Sequence, residues 1–228
     1  VQLPHRKSEE YAVISLPNIS EVQAVLENSL AVRSDWAKTS VVERAEIFEK
    51  IADLIEFKYK NLLVAATMIG QSKTVFQGEI DAAAGLIDAI RFNTKFALDI
   101  EKMQPPETEI TNISMDYRPL EGFVYSITPF NFTTTAAILS TAPALMGNVV
   151  IWKPSITAML PAHILMDIYK EAGLPDGVIN LVPGYGPEVS EVLLANEYLA
   201  GIYFTGSTKV FRQLWQQVGN NLGNYRNF

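Results

Sequence analysis

Through the first hundred positions the apolar residues recur at helical spacing. Val22, Val25, Leu26 and Leu30 share one face behind Ser20-x-x-Gln23, which has the form of a capping box. Ser40-x-x-Glu43 has the same form and leads into Ile47, Ile51, Leu54, Ile55 and Leu62. A third helix is predicted over 79–98, with Ile80, Ala84, Ile87 and Ile90 turned inward. Residues 11–16 read as a short strand ahead of the first helix. The pattern breaks at Gln104-Pro105-Pro106-Glu107, which cannot continue a helix. The stretch 108–118, rich in Thr, Ile, Asn, Ser and Tyr, predicts a short β excursion.

From Glu121 the pattern becomes strand, turn, helix, repeated. Candidate strands at 122–127, 148–153, 178–182 and 201–205 begin 26, 30 and 23 residues apart, the length of a βα unit with short loops. Val149-Val-Ile-Trp152 is apolar on consecutive positions, as a strand covered on both faces requires. Gly173-Leu-Pro175 is a helix stop, and Pro187 after Gly186 suits a first helical position. Ser207 can cap a helix that carries Phe211, Leu214, Trp215, Val218 and Leu222 on one stripe. Short crossovers of this kind are right-handed and build a parallel sheet. The expected architecture is therefore α/β. It comprises a helical layer over 1–103, a β excursion over 104–120, and an open, parallel, Rossmann-like sheet over 121–228. Four strands are few for a doubly wound sheet, so the chain reads as cut.

Composition removes several function classes. The chain has 228 residues, 48% hydrophobic and 19% charged, as in a globular protein with a real core. Eighteen basic against 25 acidic residues give a net charge of −7 with no basic block, which argues against a nucleic-acid surface. There is no cysteine, hence no disulfide, thiolate metal site or cysteine nucleophile in these residues. His5 and His163 stand alone, so a His-rich metal site is excluded too. No run approaches the ~20 apolar residues of a membrane helix. The chain opens with Val1, so targeting cannot be read from it.

In an open parallel sheet, ligands bind at the carboxyl ends of the strands. The loops there read Thr128-Pro-Phe-Asn-Phe132, Lys153-Pro-Ser-Ile156, Pro183-Gly-Tyr-Gly-Pro187 and Thr205-Gly-Ser-Thr208. None is the G-x-G-x-x-G fingerprint, and taken singly Gly184 and Gly206 could be plain turn residues. Asn131 could cap a helix starting near Thr133, Lys153 could be a solvated lysine at a strand end, and Ser207 could be a simple N-cap.

Taken together, these segments resemble the aldehyde dehydrogenase superfamily. The resemblance rests on five ordered motifs: Ile127-Thr-Pro-Phe-Asn-Phe132, Pro143-Ala-Leu-Met-Gly-Asn-Val-Val150, Trp152-Lys-Pro-Ser155, Glu171-Ala-Gly-Leu-Pro175 and Phe204-Thr-Gly-Ser207. Phe130 where most relatives have Trp, Gln71-Ser-Lys-Thr-Val75, Glu79-Ile-Asp-Ala-Ala-Ala84 and Arg91-Phe-Asn93 point to the branch that oxidises glutamate γ-semialdehyde in proline catabolism. The resemblance implies that a cysteine attacks the aldehyde, hydride passes to NAD, and water releases the acid. It implies that Asn131 donates to the oxyanion, that Lys153 bonds the adenosine ribose, and that Ser207 lies near the pyrophosphate. Thr128, Pro129, Phe130, Ser155, Ile156, Gly186, Pro187, Thr205 and Gly206 complete the expected cofactor contacts. Phe132, with Phe130, would line the aldehyde tunnel, and Glu79 is a substrate-side candidate. A small aldehyde is the implied partner, with no nucleic acid or membrane. A homodimer or higher oligomer paired through 108–118 and the mitochondrial matrix are implied as well.

Two departures stand out. The family's nucleophilic cysteine and its E-x-G-G-K motif, which supplies the base, are both absent, so the chain is expected to be inactive alone. Ile156 stands where the family usually carries an acid that shares the ribose and repels the extra phosphate of NADP. Two further readings stay open: a shortened, non-catalytic binding or interaction module, and a nucleotide-binding protein of other chemistry on a similar sheet.

Overall fold

The computed structural model describes residues 1–226. The chain opens with an antiparallel hairpin, β1 (Gln2–Leu3) and β2 (Arg6–Glu10). Residues 11–18, which include the strand expected at 11–16, are irregular; they have no strand to pair with, and the Tyr11 hydroxyl instead donates to the Thr157 carbonyl at 2.8 Å. Helix α1 (Ile19–Lys38) is capped by Asn18, two residues before the expected Ser20. Asn18 accepts from the Glu21 amide, and the Glu21 carboxylate accepts in return from the Asn18 amide. Ser40 and Glu43 form the expected box ahead of α2 (Val41–Leu54). α3 (Lys60–Gln71), α4 (Val75–Glu79) and α5 (Leu86–Glu101) complete the helical layer.

Two π turns, Ile55–Tyr59 and Ile80–Gly85, change which residues face inward. A wider turn shifts the phase of the buried stripe. Ile80 is exposed and so is Ala84, whereas Asp81, Ala82 and Ala83 are buried, and Leu62 is exposed after the first π turn. Gly85 accommodates the second turn, because a Cβ there would sit 2.7 Å from the Ile80 carbonyl oxygen. The expected β excursion carries no strand. Residues 104–120 are mostly exposed and bonded locally, Thr108 to Thr111 and the Tyr117 hydroxyl to the Met103 carbonyl.

The second part alternates as expected: β3 (Phe123–Ile127), α6 (Thr133–Leu145), β4 (Val149–Lys153), α7 (Met159–Ala172), β5 (Ile179–Leu181), α8 (Gly186–Leu194), β6 (Leu199–Phe204) and α9 (Thr208–Asn220). All four sheet strands pair in parallel, in the order β5–β4–β3–β6. Every residue of β3 and β4 is buried. Val124, Val150 and Trp152 pack on one face with α2, α5, α6 and α7, while Phe123, Tyr125, Ile127, Val149 and Ile151 pack on the other with α1, α8 and α9. Consecutive apolar positions are thus used on alternate faces, each fully buried side chain contributing about 1.5–3 kcal/mol. Only Leu214 of the α9 stripe is buried; Phe211, Trp215 and Leu222 are exposed. Residues 227 and 228, the end of the expected last unit, lie outside the described residues.

Candidate functional site

The strand order reverses at β3. The chain steps outward through β4 and β5 and then pairs β6 on the other side of β3. Helices leaving β3 and β6 therefore run to opposite faces, and a crevice opens between the carboxyl ends of the two strands. It is a cavity of ≈ 600 Å³.

Backbone hydrogen bonds tie its loops together. Thr128 N donates to Lys153 O at 3.2 Å, Ser155 N to Thr128 O at 3.1 Å, and Thr205 N to Ile127 O at 3.1 Å. The Thr128 hydroxyl accepts from the buried Trp152 indole at 2.9 Å, which pins the loop to β4. Thr128, Pro129, Phe130, Lys153, Ser155, Gly186, Pro187, Thr205, Gly206 and Ser207 all line the cavity. Ile156 does not; it opens a half-buried 3₁₀ turn, Ile156–Ala158.

The cavity's electrostatics oppose those of the chain. The protein carries −7, yet among the described residues no carboxylate lines the cavity, and the one charged residue there is Lys153. The Lys153 ammonium is buried, donates only long bonds to Pro154 O (3.3 Å) and Gly184 O (3.5 Å), and pairs with no carboxylate among the described residues. Burial holds its pKa below the usual lysine value. The N-termini of α8 and α9 open onto the same space through Gly186, Pro187 and Ser207, and helix N-termini favour anions. Ser207 also caps α9 by accepting from Val210 N at 3.3 Å, so the two readings of this residue describe one geometry. A Cβ on Gly186 would meet nothing within 4 Å. No protein atom requires glycine there, which leaves room for the backbone approach of a ligand.

A model described as the aldehyde dehydrogenase family matches residues 2–225. The chain belongs to this family. An aldehyde dehydrogenase chain 50% identical to it over 200 residues is the mitochondrial delta-1-pyrroline-5-carboxylate dehydrogenase of Bos taurus, with 88% of this chain and 36% of the relative aligned. The Homo sapiens protein of the same name is 44% identical over 225 residues, covering 99% of this chain and 40% of the relative. A crystal structure of the Mycobacterium tuberculosis delta-pyrroline-5-carboxylate dehydrogenase bound with NAD matches with a TM-score of 0.97 at 50% identity, over 99% of this chain and 42% of the other. The chain spans about two fifths of the length of the curated relatives it matches.

The remaining expected residues lie elsewhere. Asn131 is exposed at the head of the loop, and its amide has no hydrogen bond among the described residues. It does not cap α6: the N-cap position is Phe132, and the first amides of α6 are bound by Asp81. Phe130 and Phe132 are both exposed, and the Lys73 ammonium lies 4.2 Å from the Phe132 ring centroid. Glu79 does not line the cavity; its carboxylate is 3.1 Å from Lys60 on the surface. Sequence reasoning missed Ser190, Gln213, Gln216 and Gln217 at the cavity wall. The glutamines, spaced at three and four residues on α9, were visible as a polar stripe beside Leu214. Asp81 and Lys73 left no such signal, because the Phe132 ring and the α6 amides that they meet lie more than fifty residues away.

Proposed function

We propose that this chain forms the NAD-binding front part of a longer enzyme that oxidises glutamate γ-semialdehyde to glutamate. The observation that carries this reading is the cavity at the sheet reversal, with one buried cation, two helix N-termini and no carboxylate. That lining suits a dinucleotide, whose pyrophosphate is its anionic part. The NAD-bound relative, at 50% identity, supports the same assignment.

NAD supplies the hydride acceptor. On this reading Lys153 donates to ribose hydroxyls at the adenosine end, where its buried ammonium gains the acceptors it lacks. The α8 and α9 N-termini receive the pyrophosphate, and the Gly186–Pro187 turn admits the adenine. Thr128 to Phe130 line the path toward the reacting end. Asn131, unbonded and exposed, offers its amide N–H to the oxygen that gains charge when the carbonyl is attacked. No cysteine is present in these 228 residues, so the nucleophile belongs to the rest of the longer protein. Residues 104–120, with Ile110, Ile113 and Met115 exposed, form the arm through which copies pair. The mitochondrial relatives support the matrix as the compartment.

A thermal scan of the purified chain with NAD tests the binding. At a hundred times Kd the ligand stabilises by about 2.7 kcal/mol, a rise in Tm of about 5–10 °C for a protein of this size. No Asp or Glu side chain among the described residues lines the cavity to repel a 2′-phosphate, so NADP should give a rise of similar size. No rise with either cofactor overturns the assignment. The chain alone should not turn over glutamate semialdehyde, since positioning cannot replace a missing nucleophile. Steady NADH production by the pure chain would refute that.

A further inference from the structure

Helix α6 begins where the loop bearing Asn131 ends, and no side chain of its own caps it. The cap comes from 52 residues away. The Asp81 carboxylate accepts from Thr133 N through Oδ2 and from Thr134 N through Oδ1, both at 2.9 Å. Its side chain is 1% exposed, and Lys73 Nζ donates to Oδ2 at 2.6 Å. The same ammonium faces the ring of Phe132, the residue directly after Asn131. The Thr133 hydroxyl is held in turn by Thr67 at 2.8 Å and by Gln71 Nε2 at 2.9 Å.

A buried carboxylate is costly unless it is paired and hydrogen-bonded. Asp81 is paired by Lys73 and completes its hydrogen bonding on the two amides that start α6, where the helix dipole also favours a negative charge. It reaches them because the π turn at Ile80–Gly85 rotates it inward. The outcome is a rigid foot for a loop whose Asn131 side chain is exposed and has no hydrogen bond among the described residues. An oxyanion donor is effective only when aimed in advance, and a displacement of 1 Å can cost about 10²-fold in rate.

We propose that Asp81, with Lys73 as its partner, is a positioning residue that fixes the Phe130–Phe132 loop so that the Asn131 amide meets the reacting carbonyl. This rests on the oxyanion reading of Asn131 given above. Asp81→Asn keeps the size, loses the ion pair, and replaces one acceptor with a donor facing an amide. In the full-length enzyme it should lower kcat by about 10–100-fold, with the affinity for NAD unchanged. In the Asn131→Ala background the same change should lower kcat no further, because the two residues act through one contact. An equal loss in both backgrounds overturns the proposal and leaves Asp81 a scaffold residue. If Asp81→Asn does not fold, Lys73→Met, which leaves both amide bonds in place, is put through the same cycle and read in the same way. If Asn131→Ala alone leaves kcat unchanged, the oxyanion reading has failed. The hold on the loop is then read separately in the 228-residue chain, from hydrogen exchange of the Thr133 and Thr134 amides. Faster exchange in Asp81→Asn supports the positioning, and unchanged exchange overturns it.

Discussion

On the proposed reading, Lys153 serves binding at the expense of folding. Its ammonium is taken from water without a counter-ion and with only two long bonds to carbonyls. Its pKa in the fold is held below the unfolded value, so the unfolded chain binds the proton more readily. The charge therefore destabilises the fold at neutral pH, and stability from this group rises with pH between the depressed pKa and the ordinary 10.5. Lys153→Met removes the charge and keeps most of the packing. Its Tm without ligand should be equal to or above that of the unchanged protein, while NAD binding weakens by about 10–150-fold, the worth of a charged hydrogen bond. Differential scanning calorimetry and a cofactor titration check both halves. A lower Tm with unchanged affinity would make Lys153 a structural residue. From the sequence, a lysine at a strand end was visible; its isolation from carboxylates was not, because that depends on which loops surround it.

At the scale of elements, α6 is held at both ends by the helical layer. Asp81 binds its first amides, and at its C-terminus Arg44 Nε donates to Leu145 O at 2.7 Å while the Trp36 indole donates to Ala144 O at 2.9 Å. Arg44 also donates to the Thr39 carbonyl. An anion at the start and a cation at the end both complement the helix dipole. Arg44 is buried, so its loss leaves carbonyls without partners and should cost about 1.5–3 kcal/mol in Arg44→Met. Arg91 makes three ion pairs, with Glu49, Asp53 and Glu56, but on an accessible surface, and Arg91→Met should cost less than about 1 kcal/mol. Urea unfolding of both variants compares the two, and an equal loss would show that burial is not what distinguishes them. Sequence patterning located α6 and its neighbours. It misplaced Ile80 and Ala84 because a constant 3.6-residue period cannot anticipate a π turn.

For the whole molecule, one edge of the sheet differs from the rest. β6 pairs only with β3 among the described residues, and α9 beside it leaves Phe211, Trp215 and Leu222 exposed around a small apolar cavity. Trp36 and Trp152 are buried, whereas Trp215 is 71% exposed. Acrylamide should therefore quench one of the three tryptophans readily, and Trp215→Phe should abolish the quenchable fraction. Quenching that survives the substitution would mean that the fold opens at another place. No helix among the described residues is long and apolar enough to cross a membrane, and no group of His, Asp and Glu among them is arranged to hold a metal ion.

From β3 onward the sequence by itself determined the kinds of element and their order, since caps, helix stops and apolar runs act over a few residues. It also determined which loops line the cavity, because the carboxyl ends of parallel strands face one way. Tertiary structure alone decided the strand order β5–β4–β3–β6, and with it the crevice between β3 and β6. It decided that residues 11–18 and 104–120 hold no strand, because a strand forms only where another offers its backbone. It also brought Asp81 to α6 and left Asn131 unbonded. Those placements join residues dozens of positions apart, which only the packing of the helical layer against the sheet can specify.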